Sequence, residues 1–126
     1  MEHEDLTRKI IGCAYTVFNK LGFGFLESVY RKAMMIELGK AGIEVVEERP
    51  ITVYYDEYVV GKFSADLYVE ETVVVELKSV QNMVKDHEVQ LVNYLKGTRK
   101  NIGLLINFGP SGVEVKRKYK ELPKDE

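Results

Sequence analysis

The amino-acid sequence predicts an α/β (α+β) fold in which a mixed β-sheet is flanked by helices, in the element order ααββββαββ. Apolar residues recur at helical spacing between residues 6 and 36, and their period changes to two between residues 43 and 80. A further helical segment then leads into a continuous apolar run at residues 102–108. Because a strand reached through a helical crossover lies parallel to its predecessor, whereas a meander is antiparallel, the predicted sheet is mixed.

Two helices open the chain. Asp5 is the predicted N-cap of the first, and Gly22 with Gly24 ends it; Gly39 or Gly42 ends the second. The apolar stripe of the first helix consists of Leu6, Ile10, Val17 and Leu21. The stripe of the second consists of Leu26, Val29, Tyr30, Ala33, Met34 and Ile36. Each stripe predicts one buried helix face.

A meander of strands follows, separated by Arg49-Pro50, by Asp56-Glu57 and by a Glu-Glu turn. The predicted strands before the next helix are residues 43–48, 51–55, 58–69 and 72–80. Helical spacing returns at residues 85–97. The apolar run that follows predicts a buried central strand, and the lysine-rich alternation at residues 113–119 predicts an edge strand.

The composition predicts one domain over residues 1–126. The chain is 45% hydrophobic and 30% charged, it contains three prolines, and its net charge is −2, which excludes a strongly basic nucleic-acid-binding domain. No apolar stretch reaches the length of a membrane span, and the acidic start is unlike a signal peptide, so we expect a cytoplasmic protein. The single cysteine, Cys13, is expected to be a small buried hydrophobe.

Three charged residues, Asp66, Glu76 and Lys78, stand out within two alternating runs. The odd positions are apolar, so the three charged side chains share the other face of a predicted hairpin. The apolar positions are Phe63, Ala65, Leu67, Val69, Val73, Val75 and Leu77. A three-residue loop at residues 70–72 places Asp66 opposite Glu76, with Cβ atoms ~5 Å apart. Two carboxylates at that distance repel each other unless a cation, either Lys78 or a metal ion, lies between them.

Facing carboxylates are ligands that Mg²⁺ prefers, and the main-chain carbonyl of Leu77 is a further candidate ligand. A metal ion there would polarise a phosphoryl oxygen and lower the pKa of a bound water, while the Lys78 ammonium would orient that water. The alternative is an exposed charge cluster on a solvated sheet face. The nearly continuous apolar run VVVELK at residues 73–78 favours the first interpretation, because a carboxylate in a strand covered on both faces needs a partner.

Four blocks of sequence carry a resemblance to a known family. Asp66 followed by Glu76-Leu77-Lys78 resembles the PD-(D/E)XK nuclease motif, and GFLESVY at residues 24–30 matches the signature of the prokaryotic GxxExxY proteins, which are placed in that superfamily. HEVQLVNYL at residues 87–95 and GLLINFG at residues 103–109 are similar to the family's next helix and strand. The resemblance implies a restriction-endonuclease-like core that uses Mg²⁺, or Mn²⁺, and acts on nucleic acid.

The resemblance also implies roles for individual residues. Asp66 and Glu76 would bind the metal ion, Lys78 would serve the nucleophilic water, and Glu27 would complete the metal site. Tyr30, three residues after Glu27 on one helix face, is implied as an accessory residue. Taken without the resemblance, Glu27 is a first-turn glutamate that the helix dipole favours.

Gln90 and Tyr94, four residues apart, resemble a Gln-x-x-x-Tyr element of recombination-type nucleases; without the resemblance they are a solvated glutamine and a half-buried tyrosine. The chain departs from the family pattern at Ser64, where an arginine is common, and at Ala65, where the superfamily has proline. His87 matches a family position, but a lone histidine near a helix start is more often structural or solvated.

Two basic clusters are candidate contacts for nucleic acid: Lys96, Arg99 and Lys100, and Lys116, Arg117 and Lys118. The alternative is that the first suits a helix C-terminus and the second protects an edge strand. Besides a nuclease, the sequence leaves open a non-catalytic binding module. It also leaves open a homodimer that uses the tyrosine-rich edge at Tyr54, Tyr55 and Tyr58.

Overall fold

The structure, a computed structural model, describes residues 3–119. Its helices are α1 (Glu4–Leu21), α2 (Glu27–Lys40) and α3 (Lys85–Thr98). Its strands are β1 (Val45–Tyr55), β2 (Tyr58–Val69), β3 (Val73–Lys78), β4 (Ile102–Gly109) and β5 (Gly112–Tyr119). No helix within residues 3–119 is both long enough and apolar enough to cross a membrane.

The five strands form one sheet in the order β1-β2-β3-β4-β5. β3 and β4, which α3 connects, pair in parallel, and the other neighbours pair in antiparallel. The mixed sheet flanked by helices confirms the predicted fold class. β3 is the central strand, so both of its long edges are available to neighbouring strands.

The described elements follow the order ααβββαββ, with three strands rather than four before α3. The two predicted runs at residues 43–48 and 51–55 are one continuous strand, since Arg49 pairs with Ala65 and Pro50 with Ser64. Pro50 is tolerated there because β1 is an edge strand of the sheet. The backbone of β1 is irregular at Glu48, whose φ is 51°, and its pairing register with β2 shifts between Val53 and Tyr54.

Helices cover both faces of the sheet. α1 and α2 pack on one face over a core that includes Ile10, Tyr30 and Phe108, and α3 packs on the other over a smaller core around Leu91 and Leu95. In β3, Val73, Val75 and Leu77 join the first core and Val74 joins the second. The prediction of a strand covered on both faces is confirmed.

One part of the predicted pattern in β2 is wrong. Leu67 and Val69 lie in the core beneath α1 and α2, as expected, but Phe63 and Ala65 pack in the core beneath α3. The buried side chains change from one face of β2 to the other at Asp66. Asp66 and the opposite residue, Glu48, are left out of the regular pairing between β1 and β2. β2 also pairs with β3 only through residues 67–69. The two strands therefore separate at Asp66, at the carboxyl-terminal half of β3.

Candidate metal centre

The separation of β2 from β3 leaves one edge of Glu76-Leu77-Lys78 without a neighbouring strand. On the other edge these residues pair in parallel with residues 105–107 of β4. On the β2 side, regular pairing ends where Val75 faces Leu67. The backbone groups of Leu77 that point toward β2 therefore need another partner.

Asp66 supplies that partner. The backbone N–H of Leu77 donates a hydrogen bond of 2.7 Å to Oδ2 of Asp66, which is half-buried. In a strand, the N–H and C=O of one residue point to the same side, so the Leu77 carbonyl also faces the gap between the strands. This orientation suits the Leu77 carbonyl as a metal ligand.

Glu76 lies beside Asp66 and is the most perturbed acidic group of the site. Burial and then the negative charge of Asp66 raise the pKa of the Glu76 carboxyl to about 8, from an ordinary value of 4.5. A hydrogen bond from the backbone of Asp66 and the positive charge of Lys78 oppose the rise. The structure thus brings together all three charged residues that the motif singles out.

Oε1 of Glu76 is buried and has no hydrogen-bond partner within residues 3–119. A buried carboxylate oxygen without a partner is costly, and a cation between two carboxylates removes both the missing interaction and the repulsion. The donor set of two carboxylates and one carbonyl, all oxygen, fits Mg²⁺ or Mn²⁺, which also retain water ligands. Lys78 is half-buried and forms no salt bridge in the described part of the chain, so its ammonium remains available.

Glu27 stands near the end of β3 but outside the carboxylate pair. It is the exposed first residue of α2, and it lines a surface cavity together with Phe25 and Ser79. Ser79 directly follows Lys78, and its hydroxyl donates 2.8 Å to the carbonyl of Phe25, which ties the loop before α2 to the motif strand. Within residues 3–119 no third histidine, cysteine or acidic side chain joins a metal-holding group, so Glu27 is not brought to the pair.

Tyr30 is fully buried and supports the loop before α2. Its hydroxyl donates a 2.5 Å hydrogen bond to the carbonyl of Gly22 and accepts one of 3.4 Å from the Phe25 N–H. Its ring stacks on Phe108 of β4, with the centroids 4.2 Å apart. Tyr30 therefore contacts the loop that precedes Glu27 and forms no hydrogen bond with Asp66 or Glu76.

Asn107 is a site-forming residue that the sequence reasoning did not single out. Its side chain is fully buried and hydrogen-bonds to both backbone groups of Val80. Nδ2 of Asn107 donates to the Val80 carbonyl, and the Val80 N–H donates to Oδ1, each at 3.0 Å. Nδ2 also donates 3.0 Å to Oε1 of Glu114. Since Asn107 pairs with Lys78, this clamp positions the chain just after the motif. An amide within the apolar run at residues 102–108 was the available signal.

Gln90 and Tyr94 lie on α3, where Nε2 of Gln90 donates a 2.7 Å hydrogen bond to the Tyr94 hydroxyl. The Tyr94 ring stacks on Phe63 with the centroids 3.9 Å apart. Both residues line an open groove together with His87. Among residues 3–119, the contacts of this pair are with α3 and β2, and neither side chain hydrogen-bonds to Asp66 or Glu76.

The first basic cluster lies at the end of α3 over the tyrosines of β1 and β2. The Arg99 guanidinium stands 4.6 Å from the Tyr54 ring centroid and donates to the carbonyl of Asp56. The Lys100 ammonium stands 5.2 Å from the centroid of Tyr68, and Lys96 is exposed on α3. Of the three tyrosines at the possible dimer edge, Tyr55 and Tyr58 are more exposed than Tyr54.

The second basic cluster is divided between the two faces of the sheet. Arg117 donates 3.1 Å to the Thr7 hydroxyl of α1, whereas Lys118 forms a 2.7 Å salt bridge with Glu88 of α3. Lys116 is exposed on β5. Residues 116–118 therefore do not form one continuous patch, because adjacent strand residues point to opposite faces.

Comparisons with known proteins identify the superfamily and the fold. The family model of the PD-(D/E)XK nuclease superfamily matches residues 4–119. The crystal structure of a protein designated SSO0001 superposes with a TM-score of 0.58 at 19% sequence identity, over 96% of this chain and 61% of that one. The likeness shows a shared fold, and the chain spans less than two thirds of that protein's length. A search of curated proteins found no match.

Proposed function

Because the chain belongs to the PD-(D/E)XK nuclease superfamily, we propose that it is a metal-dependent nuclease that hydrolyses the phosphodiester bonds of nucleic acid. The observation that carries the proposal is the buried, unpartnered Oε1 of Glu76 beside Asp66. The remaining groups that hydrolysis would use are Asp66 of β2 and, on β3, the Leu77 carbonyl and Lys78.

Asp66 and Glu76 would hold Mg²⁺ or Mn²⁺, with the Leu77 carbonyl as a further ligand. The metal ion would supply Lewis-acid stabilisation of the phosphoryl oxygens and a more acidic water. Lys78, which projects two residues after Glu76, would orient the attacking water and stabilise negative charge as the new bond to phosphorus forms. Glu27 would act through an intervening water, because it does not join the carboxylate pair.

Three residues on other elements would hold this arrangement in place. Asn107 fixes the chain after Lys78, and Ser79 fixes the loop that precedes Glu27. Tyr30 holds that same loop from within the core. We assign these residues to positioning, while Gln90 and Tyr94 would contact substrate from the groove of α3.

The proposal is tested by calorimetric titration of Mg²⁺ and Mn²⁺ into the wild type, Asp66→Asn and the control Glu57→Gln, which alters an exposed carboxylate in the β1–β2 turn. We expect the wild type and the control to bind cation and to cleave single- or double-stranded DNA or RNA. Asp66→Asn should lose ~10²-fold or more in cation affinity and lose cleavage. Cation-dependent cleavage that survives in Asp66→Asn would refute the assignment.

The second candidate function is a non-catalytic module that binds nucleic acid or dimerises. Two observations favour it. Within residues 3–119, no third acidic side chain joins Asp66 and Glu76 in a group that could hold a metal ion, and Tyr55 and Tyr58 are exposed. The cleavage assay, together with a measurement of oligonucleotide binding, separates the two candidates. Binding of oligonucleotide without cleavage by any cation, on every substrate form, would favour the module.

A further inference from the structure

A cavity of about 200 Å³ lies on the α3 face of the sheet, apart from the carboxylate pair. Its wall includes two cationic side chains, Arg49 of β1 and Lys100 after α3, together with Tyr68 and the hydroxyl-bearing Thr52. The Arg49 guanidinium stands 5.4 Å and the Lys100 ammonium 5.2 Å from the centroid of the Tyr68 ring. Two cations are therefore gathered on one buried aromatic side chain.

This pair of cations lacks a negative partner. Arg49 and Lys100 are both half-buried, and neither forms a salt bridge or a hydrogen bond within residues 3–119. Their positions over Tyr68 place the two charges within roughly 11 Å of each other, and no acidic side chain among residues 3–119 forms a salt bridge with either one. A cation–π contact is worth only ~0.5–1 kcal/mol at exposed sites and does not require a second cation on the same ring.

Two nearby arginines have polar partners, in contrast to Arg49 and Lys100. Arg31 forms salt bridges of 3.1 Å with both Glu47 and Glu48. Glu48, which directly precedes Arg49, is therefore paired with Arg31 and not with Arg49. Arg99, which precedes Lys100, is engaged by Tyr54 and the Asp56 carbonyl. Arg49 and Lys100 therefore differ from these two arginines in having no polar partner for their side chains among residues 3–119.

The cavity also lies close to the carboxylate pair along the chain and across the sheet. Arg49 pairs with Ala65, which precedes Asp66, so the Cα atoms of Arg49 and Asp66 lie within roughly 9 Å of each other. Tyr68 follows Asp66 by two residues on the same strand. Phosphates of one nucleic-acid strand repeat every ~3.4 Å of helix axis, so a strand cleaved at the carboxylate pair carries other phosphates at this range.

We propose that Arg49 and Lys100 form a phosphate-binding subsite that holds the backbone of the nucleic acid beside the Asp66–Glu76 pair. The subsite rests on the proposed function for its ligand, since the carboxylate pair sets where the strand lies. Arg49 presents the planar guanidinium that binds two phosphate oxygens at once, and Lys100 adds a point charge.

The test measures oligonucleotide binding in EDTA, by fluorescence anisotropy over a salt series, so that binding is separated from cleavage. The variants are Arg49→Gln and Lys100→Gln, with Lys9→Gln as the matched control, because Lys9 is an exposed lysine on α1 paired with Asp5. We expect each cavity variant to weaken binding at least about fivefold and to reduce the salt slope by about 0.7–0.9, while the control changes neither. Arg49→Lys, which preserves the charge but not the guanidinium fork, should keep the salt slope of the wild type while binding more weakly than it, and it guards against a folding defect.

An unchanged affinity and salt slope in both cavity variants would overturn the subsite. If those variants still cleave like the wild type, the subsite fails while the proposed function stands. If they lose binding but the wild type never cleaves, the subsite stands and the proposed function fails. Inorganic phosphate and a mononucleotide are titrated separately. Tight binding of either, with oligonucleotide affinity unaffected by the variants, would assign the cavity to a free phosphate compound and overturn the backbone proposal.

Discussion

Replacing Glu76 by glutamine should remove the pH dependence of stability that this carboxyl imposes on the fold. Burial and the adjacent Asp66 raise the pKa of Glu76 to about 8, whereas the carboxyl of the unfolded chain titrates near 4.5. The native state therefore binds a proton more tightly than the unfolded state throughout this interval. Stability associated with Glu76 is complete below about pH 4.5 and is lost as the pH rises through about 8. Glu76→Gln keeps the shape of the side chain and cannot ionise.

The size of the effect follows from the same two values. Each pH unit between 4.5 and about 8 is worth ~1.4 kcal/mol in the free energy of unfolding, which sets a ceiling of ~5 kcal/mol. Partial access to solvent and relaxation of Asp66 reduce this ceiling, so we expect ~2–3 kcal/mol. In metal-free buffer, Glu76→Gln should gain this amount relative to the wild type between about pH 5 and about pH 9.

Urea unfolding at the two pH values measures the effect. The chain contains eight tyrosines and no tryptophan, so far-ultraviolet circular dichroism is the suitable signal. Glu57→Gln is the control, and its difference from the wild type should not change with pH. Millimolar Mg²⁺ at the higher pH should stabilise the wild type and leave Glu76→Gln nearly unaffected, because binding requires the ionised carboxylate. A wild-type-to-Glu76→Gln difference that is equal at both pH values would refute the assignment of a buried, repelled carboxyl.

Two further substitutions test the residues that position the site. Asn107→Ala should cost ~2–4 kcal/mol in the free energy of unfolding, because it removes three hydrogen bonds and leaves the Val80 backbone groups without partners. Urea unfolding measures this loss, and a value below ~1 kcal/mol would contradict the proposed role of Asn107. Tyr30→Phe should cost ~1–2 kcal/mol by removing the bond to the Gly22 carbonyl while preserving the ring stack on Phe108. Calorimetric melting measures this second loss, and an unchanged melting temperature would show that the hydroxyl contributes nothing.

The elements of the fold were predictable because their signals are local. Helical spacing located α1, α2 and α3, and alternation located the strands to within a few residues. The predicted three-residue loop at residues 70–72 is present, with Val69 paired to Val73, although pairing ends at Leu67 and Val75, one residue short of the predicted Asp66–Glu76 pair. The apolar run around Glu76 correctly indicated a strand covered on both faces. The central pair of the candidate site was therefore accessible from the sequence.

The sequence pattern was weaker wherever two distant elements decide the outcome. The pattern at Arg49-Pro50 predicted a break, but pairing with residues 64–65 keeps β1 continuous. The alternation in β2 predicted one buried face, but α3 captures Phe63 and Ala65 where the strand leaves β3. Residue propensity states what a backbone prefers, and the packing of a neighbouring element can override it.

By itself, the sequence determined where the helices and most strands lie, which turn joins β2 to β3, and hence that Asp66 and Glu76 lie close together, since period and loop length act over a few residues. Only the tertiary structure decided which side chains from distant segments meet. It placed Asn107 against Val80, set Arg117 against Thr7 and Lys118 against Glu88, and brought Arg49 and Lys100 onto Tyr68. These contacts join residues far apart in the chain, and no short-range period encodes them, because they arise when helices and strands pack into a common core.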